Sequence, residues 1–309
     1  MSSEVDALQR PIRIKPFWEY KPWGYELWCA SPRNYCEIEM EIETEKETET
    51  KEEFTLEDLI SLFPELGMNE VAKFPLIVKI IKADEKLSVQ VHPDDAYARK
   101  LGDTFGKEEA WHVLEASKGA RIYLGFKASM NAAELEEAAK RVDFISRLNA
   151  FDAEVGDTYH IPAGTIHALG AGTKIYEVST ASERTFRIYD YDRGRELHLK
   201  DAMNVLRFEE DRNLKTEHVL LRKEDGFEAY MLLKGEQIEL LLFKVHGKHV
   251  NDFTEACLIT CIGGIVTLKS QRGVELSLKT PDTVFVPACV GNCEMQGEGA
   301  VVCAKFVTV

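Results

Sequence analysis

The chain runs to 309 residues, 45% of them hydrophobic and 29% charged, which excludes wholesale disorder and leaves room for one large core or two moderate ones. A formal net charge of −15 excludes nucleic acid as a partner held by a basic face, and obliges any anionic substrate to find a local basic pocket. The opening MSSEVDALQR lacks the basic and apolar regions of a secretory signal, and no apolar run approaches the roughly 18 residues that span a bilayer, so a cytoplasmic protein with no membrane partner is expected.

In chain order, residues 37–53 alternate acidic residues with Ile, Met and Thr and predict an edge strand running into a solvated acidic loop. Thr55 then caps a short helix in FTLEDLISLFPELG, which ends near Gly67. From Phe74, FPLIVKIIKADEKLSVQVHPDD sets two β-branched runs around a polar KADEK turn and predicts a hairpin. A helix is predicted over 129–148 with Asn131 as its cap, and another over 198–212. Beyond about residue 150, short strands with Gly or Pro turns predict a sandwich or barrel. After residue 215 the runs EAYMLLKGEQIELLLFKV, ACLITCIGGIVTLKS and DTVFVPACV are long enough for a second β domain, with no flexible linker before them. The seven cysteines are an odd number and suit reduced thiols. Cys257 with Cys261 and Cys289 with Cys293 repeat a spacing of four, so a four-thiolate zinc site is conceivable, although small buried hydrophobes are the preferred reading.

Three segments carry chemistry. In SVQVHPDD, Gln90 and His92 are two apart and share one face of a strand, against Val89 and Val91 on the other. In GKEEAWHVL, Lys107, Glu109 and Trp111 alternate toward one face, and His112 has the opposite parity. The segment GDTYHIPAGTIHA matches the second cupin motif, with Gly156, Pro162, Gly164 and His167 in register. In a cupin barrel, ligands come from separate strands, so Gln90, His92, Glu109 and His167 would offer an amide oxygen, two imidazoles and a carboxylate to one divalent ion.

The chain resembles the type I mannose-6-phosphate isomerase family in its short prokaryotic form. The resemblance rests on KPWGYELW, FPLIVKII, SVQVHPDD, GKEEAWHVL and IPAGTIHALGAGTKIYEVSTASERTFRIYDYDR, which together with their spacing cover most of residues 20–210. It implies a mainly β fold of two cupin-type jelly-roll barrels packed together with a few short helices. Residues 1–215 would be the catalytic domain and 216–309 a degenerate, metal-free one, because TPDTVFVPACVG has no histidine at the ligand position. One zinc per chain would be held by Gln90, His92, Glu109 and His167, with Lys107, Glu177 and Arg187 lining the sugar-phosphate cavity. The chain departs from the family pattern after Glu177, where Val178, Ser179 and Thr180 replace a Gln-rich stretch, and at Glu183, where Asp is usual.

Aldose-ketose interconversion moves a proton between C2 and C1 through an enediol and needs a base, a charge stabiliser and a phosphate anchor. Glu177 is the expected base, with Lys107 as runner-up, and Arg187 suits the oxyanion because its guanidinium stays charged and bonds oxygens in pairs. Glu177, ten residues after His167 across the AGTK turn, is expected on a neighbouring antiparallel strand. Two other readings share the ligand set: a cupin oxygenase with ferrous iron on His92, Glu109 and His167, and a sugar-binding cupin without turnover.

Overall fold

The computed structural model describes residues 8–43, 48–67, 73–211 and 214–307. In chain order its strands are β1 (Ile12–Arg13), β2 (Phe17–Lys21), β3 (Gly24–Ala30), β4 (Tyr35–Glu43), β5 (Thr48–Thr55), β6 (Leu76–Ala83), β7 (Val89–Val91), β8 (Glu109–Ala116), β9 (Arg121–Phe126), β10 (Leu148–Asp152), β11 (Thr158–Ile161), β12 (His167–Leu169), β13 (Thr173–Thr180) and β14 (Phe186–Tyr189). There follow β15 (Val219–Glu224), β16 (Phe227–Lys234), β17 (Ile238–Phe253), β18 (Cys257–Ser270), β19 (Glu275–Lys279), β20 (Thr283–Val286) and β21 (Gly291–Phe306). Short helices α1 (Leu56–Leu62), α2 (Asp95–Lys100), α3 (Ala132–Ala139) and α4 (Leu199–Val205) interrupt them, so the fold is mainly β.

The chain forms two compact units that are not consecutive segments. One comprises Met1–Phe17, Trp28–Val78 and His218–Val309, the other Trp18–Leu27 and Lys79–Glu217. The physical reason is the path of two strands: the chain leaves the second unit along β3 and re-enters it along β6.

The first unit is built on an eight-stranded sheet in the order β1-β20-β18-β21-β17-β16-β15, with β19 on β18, and the β4-β5 ribbon. That ribbon is the acidic segment expected at 37–53; residues 44–47 lie outside the described residues. Its core gathers Phe227, Phe243, Val266, Val284, Met295 and Val301, together with Cys257, Cys261, Cys293 and Cys303. The cysteines are free, and burial pushes the Cys293 thiol up to about 11, the opposite of what a thiolate ligand needs.

The second unit is a sandwich of a five-stranded sheet, β10-β9-β12-β7-β14, and a six-stranded sheet, β11-β8-β13-β6-β3-β2. Between the two sheets, Ile122, Leu124 and Leu169 meet Trp111, Val113, Ile175 and Ile81. The opposite face of the five-stranded sheet, with Val89, Val91, Ala168 and Ile188, is covered by Leu135 and Ala138 of α3 and Ala202 of α4. Two helix starts are specified locally by capping boxes, Thr55 with Asp58 at α1 and Asn131 with Glu134 at α3.

Three sequence expectations change. β6 and β7 are not a hairpin; they belong to different sheets, because past Ala83 the backbone is claimed by other strands, Asp84 and Glu85 N–H bonding Trp23 O and Leu87 N–H bonding Leu169 O. The helix expected over 129–148 stops at Ala139, since Val142 and Asp143 are poor helix formers and the turn they allow buries Phe144. The one expected over 198–212 stops at Val205, where Arg207 N–H is drawn to Gly164 O at 2.9 Å; residue 212 lies outside the described residues.

Gly170 begins the turn that carries the chain from β12 in one sheet to β13 in the other, and a Cβ there would stand 2.3 Å from Arg121 O. Gly170→Ala is therefore expected to lower unfolding stability by about 1–3 kcal/mol, measured as a fall in the urea midpoint at unchanged slope.

Candidate metal centre

The site is assembled from the polar end of the sandwich interior. Gln90 on β7 stands opposite His167 of β12 on one side and opposite Arg187 of β14 on the other, so the three share one face of the five-stranded sheet. Across the interior, β8 and β13 align Glu109 with Ser179 and Trp111 with Glu177. Alternation along each strand does the rest: two residues on from these polar groups the same faces carry Leu169, Val113 and Ile175.

His92, Glu109 and His167 converge with their ligand atoms all within 4.8 Å of one another, every one of them buried. His92 Nε2 lies 3.3 Å from Glu109 Oε1, and His167 Nε2 lies 3.6 Å from Glu109 Oε2. Each imidazole has its other nitrogen committed to a backbone carbonyl, His92 Nδ1–H to Arg184 O at 2.7 Å and His167 Nδ1–H to Thr165 O at 2.9 Å. That fixes both tautomers and turns both Nε2 lone pairs into the cluster. Gln90 Nε2 lies 3.2 Å from His167 Nε2, so a half-turn of the amide would present its oxygen there. Behind Glu109, Lys107 Nζ is 3.0 Å from Oε1.

A second group of buried charges lies on the six-stranded sheet. Glu177 accepts a hydrogen bond from Trp111 Nε1 at 3.1 Å and lies 3.9 Å from Lys79 Nζ, which in turn is 3.3 Å from Glu26 Oε2. Burial works against Glu109's charge, but the positive charge of Lys107 opposes it, and the carboxyl is held well below the usual range. Glu177 has no such surplus of cations; burial, and then the charge of Glu109, push it up to about 7. Burial also drops His167 to about 4, which keeps the ring neutral and its lone pair free. Lys107 shifts upward, because Glu109 and Glu177 together outweigh the effect of burial.

Comparison with known proteins bears on this arrangement. Residues 18–112 match the family described as phosphomannose isomerase type I, catalytic domain. GmuF of Bacillus subtilis, named as a probable mannose-6-phosphate isomerase, is 30% identical over 257 residues, covering 79% of this chain and 79% of its own. The chain belongs to the type I mannose-6-phosphate isomerase family. The mannose-6-phosphate isomerase of Streptococcus mutans is 29% identical over 253 residues, covering 79% of this chain and 78% of its own. The crystal structure of the mannose 6-phosphate isomerase from Bacillus subtilis superimposes with a TM-score of 0.82 over 95% of this chain and 99% of that one; at 24% identity it speaks for the fold.

The donor set fits a cation. His92 Nε2 and Glu109 Oε2 are buried and have no hydrogen-bond partner. Such orphaned acceptors cost about 1–3 kcal/mol each unless something fills the gap between them. Among the described residues this is the only cluster of three His, Cys, Asp or Glu ligand atoms so placed, and the cysteine quartet is not one.

The structure brings together the expected Gln90, His92, Lys107, Glu109 and His167, and sets Glu177 and Arg187 on the walls of the same interior. Glu177 and His167 are not on neighbouring strands, however. β12 pairs with β7 and β9, whereas β13 pairs with β8, so the two residues face each other across the sandwich. His112 and His160 stay out of the centre, bonding Thr158 Oγ1 at 2.9 Å and Glu108 Oε1 at 2.6 Å. Sequence reasoning missed Lys79 and Glu26. The available signal was a lysine inside the apolar run FPLIVKII, a position that a buried strand grants a charge only when a carboxylate waits for it.

In metal-free protein, Glu177 holds its proton more tightly folded, at about 7, than at the unfolded value of 4.5. Its contribution to stability is therefore full below pH 4.5 and is lost as pH rises through 7. Glu177→Gln, which mimics the protonated acid, should become more stable than the wild type by about 3 kcal/mol across that window, read from urea titrations at a series of pH values.

Proposed function

We propose that the chain is a cytoplasmic, zinc-dependent mannose-6-phosphate isomerase that interconverts mannose 6-phosphate and fructose 6-phosphate through an enediol. The observation that supports this most is the convergence of two locked imidazole lone pairs and the Glu109 carboxylate on one buried spot. His92, Glu109 and His167, joined by the amide oxygen of Gln90, would hold one zinc ion per chain. The ion supplies Lewis-acid charge beside the sugar oxygens.

The remaining work falls to the protein's own groups. Glu177, with a proton affinity matched to neutral pH, takes the C2 proton as a carboxylate and returns it at C1 as the acid. Trp111 fixes the orientation of that carboxyl through Oε2 and leaves Oε1 for the proton; Oε1 has no hydrogen-bond partner. Lys107, protonated and pinned to Glu109, acts through its positive charge, and its upward shift favours that role over the base. Arg187 donates through Nη1 to Glu196 O at 2.7 Å while its buried Nε has no partner, a donor available to a substrate oxyanion. Within the expected 1–215 we assign catalysis to the unit of Trp18–Leu27 and Lys79–Glu217, and we read the strands of 216–309 as metal-free, their His246 and His249 taken up by Glu298 and Glu224.

The coupled assay with mannose 6-phosphate should lose its signal on chelation and regain it with zinc. His92→Ala and His167→Ala should each come free of zinc by elemental analysis; full zinc in both would overturn the ligand assignment. Iron in place of zinc, with oxygen-dependent turnover, would instead mark an oxygenase. Arg187→Lys should keep fold and zinc but lose about 10²-fold in turnover, whereas unchanged turnover would leave Arg187 a structural residue.

A further inference from the structure

The two imidazoles are held in different ways. His167 is anchored within its own turn: the carbonyl it uses is two residues away, on a turn closed by Thr165 N–H to Pro162 O at 3.1 Å and Gly164 N–H to His92 O at 2.9 Å. His92 instead depends on Arg184 O, ninety-two positions along the chain, on the connection between β13 and β14. A carbonyl so placed orients the ring only if that connection is itself fixed.

It is fixed by a side chain. Arg184 Nε and Nη2 donate in parallel to the two carboxylate oxygens of Asp103, at 2.7 and 3.0 Å, the paired planar geometry that constrains direction as well as distance. Asp103 is tied back to His92 through a short stiff path. Asp94, two residues after His92, caps α2 by accepting Tyr97 N–H at 2.7 Å, and Asp103 N–H bonds Ala98 O at 3.0 Å. A closed ring results, from His92 through α2 to Asp103, across to Arg184, and back from the Arg184 carbonyl to the His92 ring.

We propose that Asp103 and Arg184 are positioning residues that set the metal affinity of the centre by holding the His92 imidazole. The inference rests on the reading of His92 as a ligand. The pair is partly exposed, with 30% and 39% of the side chains in solvent, and such pairs add only about 0–1 kcal/mol to global stability. Its effect is thus directional: losing it leaves the fold and frees the ring to rotate.

The test uses the full-length protein, stripped and titrated with Zn²⁺ against a competing chelator, and with Co²⁺ to read ligand geometry from its visible absorption. Asp103→Asn and Arg184→Ala should each weaken zinc about tenfold and change the Co²⁺ bands, with the metal-free melting midpoint within about 2 °C of wild type. Arg184→Lys should recover part of the affinity, and the exchanged pair Asp103→Arg with Arg184→Asp most of it. Arg141→Ala, which breaks the exposed pair with Asp143, should leave zinc binding unchanged. Wild-type affinity and Co²⁺ bands in both single variants overturn the proposal, as does an affinity loss that only follows a matching fall in the metal-free midpoint. If His92→Ala binds zinc as the wild type does, the ligand assignment itself has failed, and the clamp fails with it.

Discussion

Everything in the second unit is arranged around one buried carboxylate. Glu109 sits almost wholly out of water, and a charge in that position persists only when cations or hydrogen-bond donors surround it closely. Lys107 supplies a permanent positive charge from two residues earlier on the chain, and two imidazoles from the opposite sheet supply the rest of its surroundings. Burial first, and then the same Glu109 charge, raise the proton affinity of Glu177 into the range where it can both take and give a proton. Two glutamates on adjacent strands of one sheet thus acquire opposite characters, one held ionised and one poised near neutrality, because nearby positive charge outweighs burial at Glu109 and not at Glu177.

The sandwich makes this possible by dividing its interior lengthwise. Trp111 marks the division: its ring meets His167 edge-on at 5.4 Å, its indole N–H holds Glu177, and its body belongs to the apolar cluster below. Below it the packing of Leu124, Leu169 and Ile175 makes the sheets rigid with respect to each other. The ligand atoms above it therefore hold their spacing through the apolar half and require little strength of their own.

Much of this was legible in the sequence because strands alternate. Gln90 and His92, and Lys107, Glu109 and Trp111, could be assigned to shared faces from parity alone, and His167 from the turn residues Pro162 and Gly164 that precede it. Parity could equally set His112 aside. What the chain did not disclose was which strand lies beside which. The KADEK and AGTK segments read as hairpin turns, yet each carries the chain from one sheet to the other, and only long-range backbone hydrogen bonds, such as Leu87 to Leu169, decide that. The dependence of His92 on Arg184 was illegible for the same reason: it joins positions ninety-two apart through a carbonyl, which leaves no trace in residue identity. Lys79 was half legible, since a charge in an apolar strand signals a partner but not which of several glutamates it is.

The excursion of the chain between β3 and β6 has a consequence for how such a protein can be rearranged. Residues 28–78 belong with the C-terminal strands: Ile12 of β1 pairs with Phe285 of β20, and Phe74 packs edge-on against that same Phe285 at 6.0 Å. No single cut through the polypeptide therefore separates one unit from the other. A gene shortened after the last strand of the site would encode an apolar surface around Phe74 with its cover removed, and a recombination event could exchange the C-terminal strands only by supplying a replacement that fits residues already inherited from upstream. The two units are bound to a shared evolutionary fate by the order in which the ribosome makes them.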